Sequence, residues 1–219
     1  MVWTDSSGKS LDDYTRPSVA VDVAVLTVRD DRLRVVTVDS DRGASLPGTF
    51  LHPGETLQDA AARALETKAG ITDLAFHQLG MYDDPDRDDR GWVLSMAHSA
   101  AISPDRLPMA TTLVTITDGV ADEPLAFDHN TMVAQAVTDL RARYSSDPDP
   151  DDLLPDQFTL LELRRLHEVI FSQTFPKDTF RRRFISELDG TGERSSSDTG
   201  RPAELFRRRR IRRPAPRSL

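Results

Sequence analysis

The sequence contains no cysteine, so it can carry neither a disulfide framework nor a thiolate metal site. No apolar run approaches the ~18 residues of a membrane span. The first residues, Met1-Val2-Trp3-Thr4-Asp5, lack the basic segment and apolar core of a secretory signal. A cytoplasmic location with no membrane partner is therefore expected. The histidines, His52, His77, His98, His129 and His167, show no metal-ligand spacing, and no internal repeat is visible. What remains is 219 residues, 38% of them hydrophobic. That suits one large domain or two small ones with packed cores.

The net charge of −8 hides a split. From Leu153 onward there are fifteen Lys/Arg and nine Asp/Glu, a balance of +6; the preceding residues carry thirteen and twenty-seven, a balance of −14. An acidic body with a basic appendage points towards nucleic acid, although two solvated surfaces of opposite sign would give the same count.

The hydrophobic pattern sets out the elements. Residues 1–16 are polar and expected to be loose. Val19–Val28, a near-continuous β-branched run, reads as a buried strand. A turn at Arg29-Asp30-Asp31 and a return strand over Leu33–Val38 make a hairpin. After a Pro- and Gly-rich loop, Leu46–Glu55, a helix is expected over about Thr56–Ala69. Its apolar face is Leu57, Ala60, Ala61, Ala64 and Leu65, and Gly70 closes it. Strands are expected near Phe76–Met81, Val93–Ile102 and Leu113–Ile116, and a helix over Ala126–Tyr144. Ser145–Asp152 (SSDPDPDD) has the composition of a linker. Thr159 and Glu162 form a capping-box signature at the start of the next helix, whose inward stripe is Leu163, Leu166 and Ile170. A second helix over about Pro176–Glu187 places Phe180, Phe184 and Leu188 at intervals of four. A polar stretch from Gly190 to Gly200 and a short strand over Ala203–Phe206 follow.

The segment Leu46–Ile71 resembles the Nudix box. Seven residues separate Glu55 from Arg63, Leu65, Gly70 and Ile71 fall in register, and LPG-x-F and PGE precede them. Four positions depart from the signature. Thr49 replaces its first glycine, Ala64 the glutamate after the arginine, and Thr67 and Lys68 the paired glutamates. In Nudix enzymes those carboxylates hold divalent cations on a pyrophosphate. A hard cation needs several oxygens, and a threonine with a lysine does not supply them. Glu66 is no rescue, because one residue is ~100° around a helix. Efficient metal-assisted hydrolysis is therefore not expected. Lys68 either offers fixed positive charge to a diphosphate or is a solvated cation near a helix C-terminus.

The charged loop Asp83–Gly91 carries Arg87 and Arg90, which either grip phosphate or pair with Asp84, Asp86, Asp88 and Asp89. Trp92 either stacks on a base or begins a buried strand. His129 is placed to fix a loop, and His167 to pack between helices.

Two helices, a short connector and a hairpin describe a winged helix-turn-helix with the second helix as reader. Phe180 and Phe184 pack inward, leaving Arg181, Arg182 and Arg183 on the other faces, with Thr179 near the helix start. The wing would span Gly192–Pro202, with Arg201 able to reach DNA. Arg207–Arg213 either adds phosphate affinity or is a tail without a role.

As a whole the chain resembles the Nudix-related transcriptional regulators of NAD metabolism. The carriers are RPSVAVDV (Arg16–Val23), LPGTFLHPGE (Leu46–Glu55), YDDPDRDDRG (Tyr82–Gly91), LAFDH (Leu125–His129), LLPDQFTLLELRRLHEVI (Leu153–Ile170), FRRRF (Phe180–Phe184) and GRPAELF (Gly200–Phe206). The resemblance implies an α+β chain. A loose segment (1–16) precedes a Nudix-like α/β/α sandwich (17–144), a linker (145–152), a winged helix-turn-helix domain (153–208) and a basic tail (209–219). It implies a repressor of NAD biosynthesis or salvage genes, some relatives controlling sugar catabolism instead. The protein would act as a homodimer on a palindromic double-stranded operator, with ADP-ribose or a related nucleotide as effector and no required cofactor. The implied ligand-binding residues are Glu55, Arg63, Lys68, Arg87, Arg90, Trp92, Asp128 and His129. The implied DNA-binding residues are Lys177, Thr179, Arg181, Arg182, Arg183 and Arg201. No catalytic or metal-binding residue is assigned. The competing reading is an active hydrolase of a nucleoside diphosphate derivative, with Glu55, Glu66 and Asp128 as its candidate ligands. The stretch Asp39–Leu46 is shorter than the family's usual loop, and the linker is unusually acidic.

Overall fold

Strand β1 (Ser18–Arg29) is the spine of a computed structural model that describes residues 3–195 and 202–209. Its β-branched run is buried on both faces, and Val21, Val23 and Val25 have no exposed surface. Each such side chain contributes roughly 1.5–3 kcal/mol relative to exposure. β1 pairs antiparallel with β2 (Arg32–Ser40) through the expected turn, in which Asp30 and Asp31 both take positive φ. On its other side it pairs parallel with β6 (Val93–Ala101). The sheet runs β5 (His77–Tyr82), β6, β1, β2, β7 (Thr112–Thr117) and β8 (Val120–Ala121), with β3 (Gly43–Ser45) added to β2 and β4 (Gly48–Phe50) to β1.

A helix covers each face. α1 (Leu57–Ala69) lays Ala60, Ala61 and Leu65 on Val21, Val23, Val25, Val36 and Ala100. Its Thr56 cap accepts from the Asp59 amide, and Gly70 closes it at φ 65°. α2 (His129–Ser146) lays Val133, Ala136, Val137 and Leu140 on Ala24, Leu26, Val35 and Ala97. It starts three residues later than the sequence suggests, because Phe127 takes a left-handed conformation. Among the described residues no helix is long and apolar enough to cross a membrane.

The C-terminal unit comprises β9 (Phe158–Thr159), α3 (Leu160–Phe171), α4 (Lys177–Phe184), β10 (Leu188–Arg194) and β11 (Glu204–Arg208). The strands form a sheet in the order β10–β11–β9, around a core of Phe158, Leu163, Phe180, Phe184, Leu188 and Phe206. The capping box at Thr159 and Glu162 forms as the sequence indicates. α3 also turns Leu166 and Ile170 into the cluster beneath α2, so the two units share apolar packing.

The acidic stretch 145–152 differs from its linker composition. α2 continues to Ser146, and Asp149 is buried at 2% exposure. Asp149 accepts from the Tyr144 hydroxyl (2.7 Å), the Leu153 and Leu154 amides (3.0 Å each) and Arg208 Nε (3.0 Å). A carboxylate ringed by donors fixes a backbone that composition alone leaves free.

Candidate nucleotide cleft and reader helix

An open cleft of about 250 Å³ lies at the end of the sheet where β1, β4 and the loops before β6 and α2 meet. Its charged residues are Asp22, Asp41, Asp88, Lys68, Arg87 and Arg90.

Asp22 is buried in the cleft lining and is the residue that sequence reasoning missed. Its signal was present: a lone carboxylate interrupts an otherwise apolar strand. Ser95 Oγ donates to it at 2.6 Å, His129 Nε2 lies 3.5 Å away and Arg87 Nη2 3.8 Å away. Burial opposes its ionisation, yet the hydrogen bonds from His129 and Ser95 and the charge of Arg87 hold its carboxyl below the usual carboxylate range. Gly48 passes directly over it. A Cβ there would lie 1.9 Å from Asp22 Oδ1 and 2.8 Å from the Val21 carbonyl.

His129 fixes a loop, as expected. Its Nδ1 accepts from the Leu46 amide at 3.0 Å, which leaves the proton on Nε2, facing Asp22. Arg87 pairs with none of the loop carboxylates offered to it by the sequence. It makes a fork-to-fork pair with Asp128, Nη2 to Oδ1 at 2.7 Å and Nε to Oδ2 at 2.9 Å. Arg90 does pair within its loop, through Nε and Nη2 to Asp88 at 2.9 and 2.7 Å. That pair holds the Asp88 carboxyl at about 2. Lys68 lines the cleft with no carboxylate within 4 Å among the described residues, unlike the two arginines beside it.

Glu55 and Arg63 come together beside the cleft rather than in it. Arg63 donates from Nε to Glu55 Oε1 (2.7 Å), from Nη2 to Glu55 Oε2 (2.8 Å) and to the Phe50 carbonyl (2.9 Å), and from Nη1 to Thr49 Oγ1 (3.1 Å). The Arg63 hydrogen bonds, helped by the His52 amide, bring the Glu55 carboxyl down to about 2. Trp92 is 49% exposed and lies outside the cleft lining. It therefore does not begin a buried strand.

A hard cation does not fit this arrangement. Ala64 is buried without a ligating atom, Thr67 Oγ1 donates to the Arg63 carbonyl at 2.6 Å, and Lys68 puts an ammonium at the cleft. Glu66 is exposed and lines a separate hollow with Ile71 and Phe76. Among the described residues no group of three or more His, Asp or Glu is arranged to hold a metal ion.

On the C-terminal unit, Lys177, Thr179, Arg181, Arg182 and Arg183 are all exposed on α4, while Phe180 and Phe184 are buried beneath them. Lys177 and Arg181 also border an apolar groove closed by Leu160, Leu161 and Phe206. Arg183 differs from its neighbours, because it donates to the Ser145 carbonyl at the end of α2. Arg208 is likewise turned inward onto Asp149. Arg201 and residues 210–219 lie outside the described residues. His167 packs as expected. Its Nε2 lies 2.7 Å from the Pro148 carbonyl and its ring meets Tyr144, Phe171, Phe180 and Phe184.

Comparison with known proteins agrees with this division. The family model described as the NUDIX domain matches residues 18–110, and that described as the NrtR DNA-binding winged helix domain matches residues 150–208. The ADPR responsive transcriptional repressor NtrR of Acinetobacter baylyi is 29% identical over 208 residues, which cover 89% of this chain and 83% of the relative. An ADP-ribose pyrophosphatase of Methanocaldococcus jannaschii is 34% identical over 86 residues, 38% of this chain and 50% of that protein. The crystal structure of Shewanella oneidensis NrtR complexed with a 27mer DNA superposes with a TM-score of 0.74 at 27% identity, covering 87% of this chain and 93% of that one. The chain is a NUDIX domain joined to an NrtR DNA-binding winged helix domain.

Proposed function

We propose that this protein is a DNA-binding transcriptional repressor. Its NUDIX domain binds ADP-ribose or a closely related nucleotide without hydrolysing it, and the bound nucleotide changes the affinity of the reader helix for operator DNA. The similar Acinetobacter protein is named for the same response, and the similar Shewanella chain has been crystallised with DNA. Control of NAD biosynthesis or salvage genes, a homodimeric state and a palindromic operator belong to the same proposal. Lys68, Arg87, Arg90 and His129 serve as ligand-binding residues within the cleft, with Glu55, Arg63 and Asp128 holding its walls. Lys177, Thr179, Arg181 and Arg182 face DNA.

The observation that carries the loss of hydrolysis is the trio Ala64, Thr67 and Lys68, set against a Glu55 already held by Arg63. Catalysis of pyrophosphate cleavage in this cleft needs positive charge that also activates water, and an ammonium supplies only the charge. Incubation of the purified protein with ADP-ribose and Mg²⁺ tests this. The nucleotide is recovered intact, and repeated turnover establishes the hydrolase instead.

A further inference from the structure

A stack of aromatic rings and guanidinium groups stands at the cleft, with Phe50, Arg90 and Phe127 in its lining. The Arg90 Cζ lies 5.7 Å from the Phe50 ring centroid and 5.3 Å from that of Phe127, and the Arg42 Cζ lies 5.3 Å from Phe127 as well. Phe127 also tilts against His129 at 5.4 Å. Three features distinguish this from incidental surface packing.

Phe127 stands at φ 55°, a left-handed conformation that a bulky side chain adopts only against a steric cost. The surrounding structure maintains that conformation, and its effect is to bring the ring into the cleft lining beside His129 and Arg90. Both guanidinium groups direct two nitrogens at a carboxylate of the acidic loop. Arg90 is held by Asp88 (2.9 and 2.7 Å), and Arg42 by Asp89 (3.1 Å from Nη1 to Oδ2, 2.6 Å from Nη2 to Oδ1). One edge of each is thus committed to the acidic loop, while its central carbon stands over a ring. Phe50 and Arg90 are both exposed, so the stack is open to a ligand.

An arginine whose fork is occupied is a poor phosphate clamp and a good stacking surface. We infer that Phe127, with Arg90, Phe50 and Arg42, is the subsite that receives the planar base of the nucleotide, while Lys68 faces its diphosphate. This rests on the effector reading proposed above. Within the acidic loop Asp83–Gly91, Asp88 and Asp89 then turn two arginines from phosphate binders into stacking plates. Because stacking reads a flat face rather than an edge, the subsite accepts any purine.

Calorimetric titration of the full-length protein and its Phe127→Asn and Phe127→Tyr variants with ADP-ribose and AMP tests the assignment. Asparagine tolerates the left-handed backbone, so the Phe127→Asn variant keeps its melting temperature without ligand, a result that a purely structural role for the ring would not give. Its affinity for both nucleotides falls about tenfold or more, the scale of one lost base–ring stack. Phe127→Tyr retains wild-type affinity. Wild-type affinity in Phe127→Asn overturns the subsite, as does a loss confined to its folding stability. Absence of heat from the unaltered protein overturns the effector reading itself.

Discussion

Arg87 and Asp128, forty-one positions apart, form a two-point ion pair that ties the acidic loop to the first residue before α2. The Arg87 side chain is 4% exposed and also faces Asp22 at 3.8 Å. Removing it leaves two carboxylates without their counter-charge in a partly desolvated cleft.

Arg87→Ala therefore destabilises the protein by about 3 kcal/mol, the scale of breaking a buried pair from one side. Arg87→Lys recovers little of this, since an ammonium cannot span both oxygens of Asp128. Chemical denaturation of the two variants beside the parent measures both effects. Equal stability of Arg87→Lys and the parent contradicts the geometry.

Gly48→Ala tests the packing over Asp22. The added methyl meets a carboxylate that Ser95 and His129 hold in place, and a main-chain carbonyl that cannot move far. A loss of roughly 1–3 kcal/mol is expected from such overpacking, together with weaker nucleotide binding, because Gly48 and Asp22 both line the cleft. A thermal melt with and without ADP-ribose reads both.

The Glu55–Arg63 clamp gives a pH signature. The Glu55 carboxyl falls from its ordinary 4.5 to about 2 in the folded chain. A carboxylate depressed on folding contributes stability that is fully present above the unfolded value and is lost as pH falls through the folded one. The contribution therefore fades between about pH 4.5 and 2. Glu55→Gln flattens the acid limb of the melting-temperature profile in that window and lowers the plateau above it. An unchanged acid limb argues against the clamp.

The reader helix divides its arginines. Arg181→Ala with Arg182→Ala abolishes DNA binding and leaves nucleotide affinity within about twofold, because neither residue reaches the cleft; removed phosphate contacts also reduce the salt slope. Arg183→Ala acts differently, since its guanidinium caps the carbonyl end of α2 and lies 5.0 Å from the Phe184 ring. It lowers stability by about 1 kcal/mol as well as DNA affinity. Fluorescence anisotropy and melting curves on the same preparations separate the two classes.

Local signals in the chain identify most of the elements and the wrong partners for some residues. The β-branched run of β1, the Thr56 and Thr159 caps and the Phe180/Phe184 spacing are nearest-neighbour features, and each forms where it is read. Arg87 choosing Asp128 over its loop neighbours depends on how β1, β6 and α2 are brought together, which no local pattern encodes. Ser145–Asp152 is set by buried Asp149, which accepts from Tyr144, the Leu153 and Leu154 amides and the distant Arg208, so composition misleads there. Phe127 is the sharpest case. Its left-handed φ accompanies the turn into α2 and brings the ring into the cleft lining, and no sequence signature marks it.

In the proposed function, a nucleotide held in the NUDIX cleft without being hydrolysed alters DNA binding by α4. It is tested most directly by titrating the full-length protein onto labelled DNA from upstream of its own gene, with and without saturating ADP-ribose. Coupled sites shift the apparent Kd by about fivefold or more, and the shift persists with Mg²⁺ present because the nucleotide is not consumed. An identical Kd in both titrations, with specific DNA binding intact, contradicts the account.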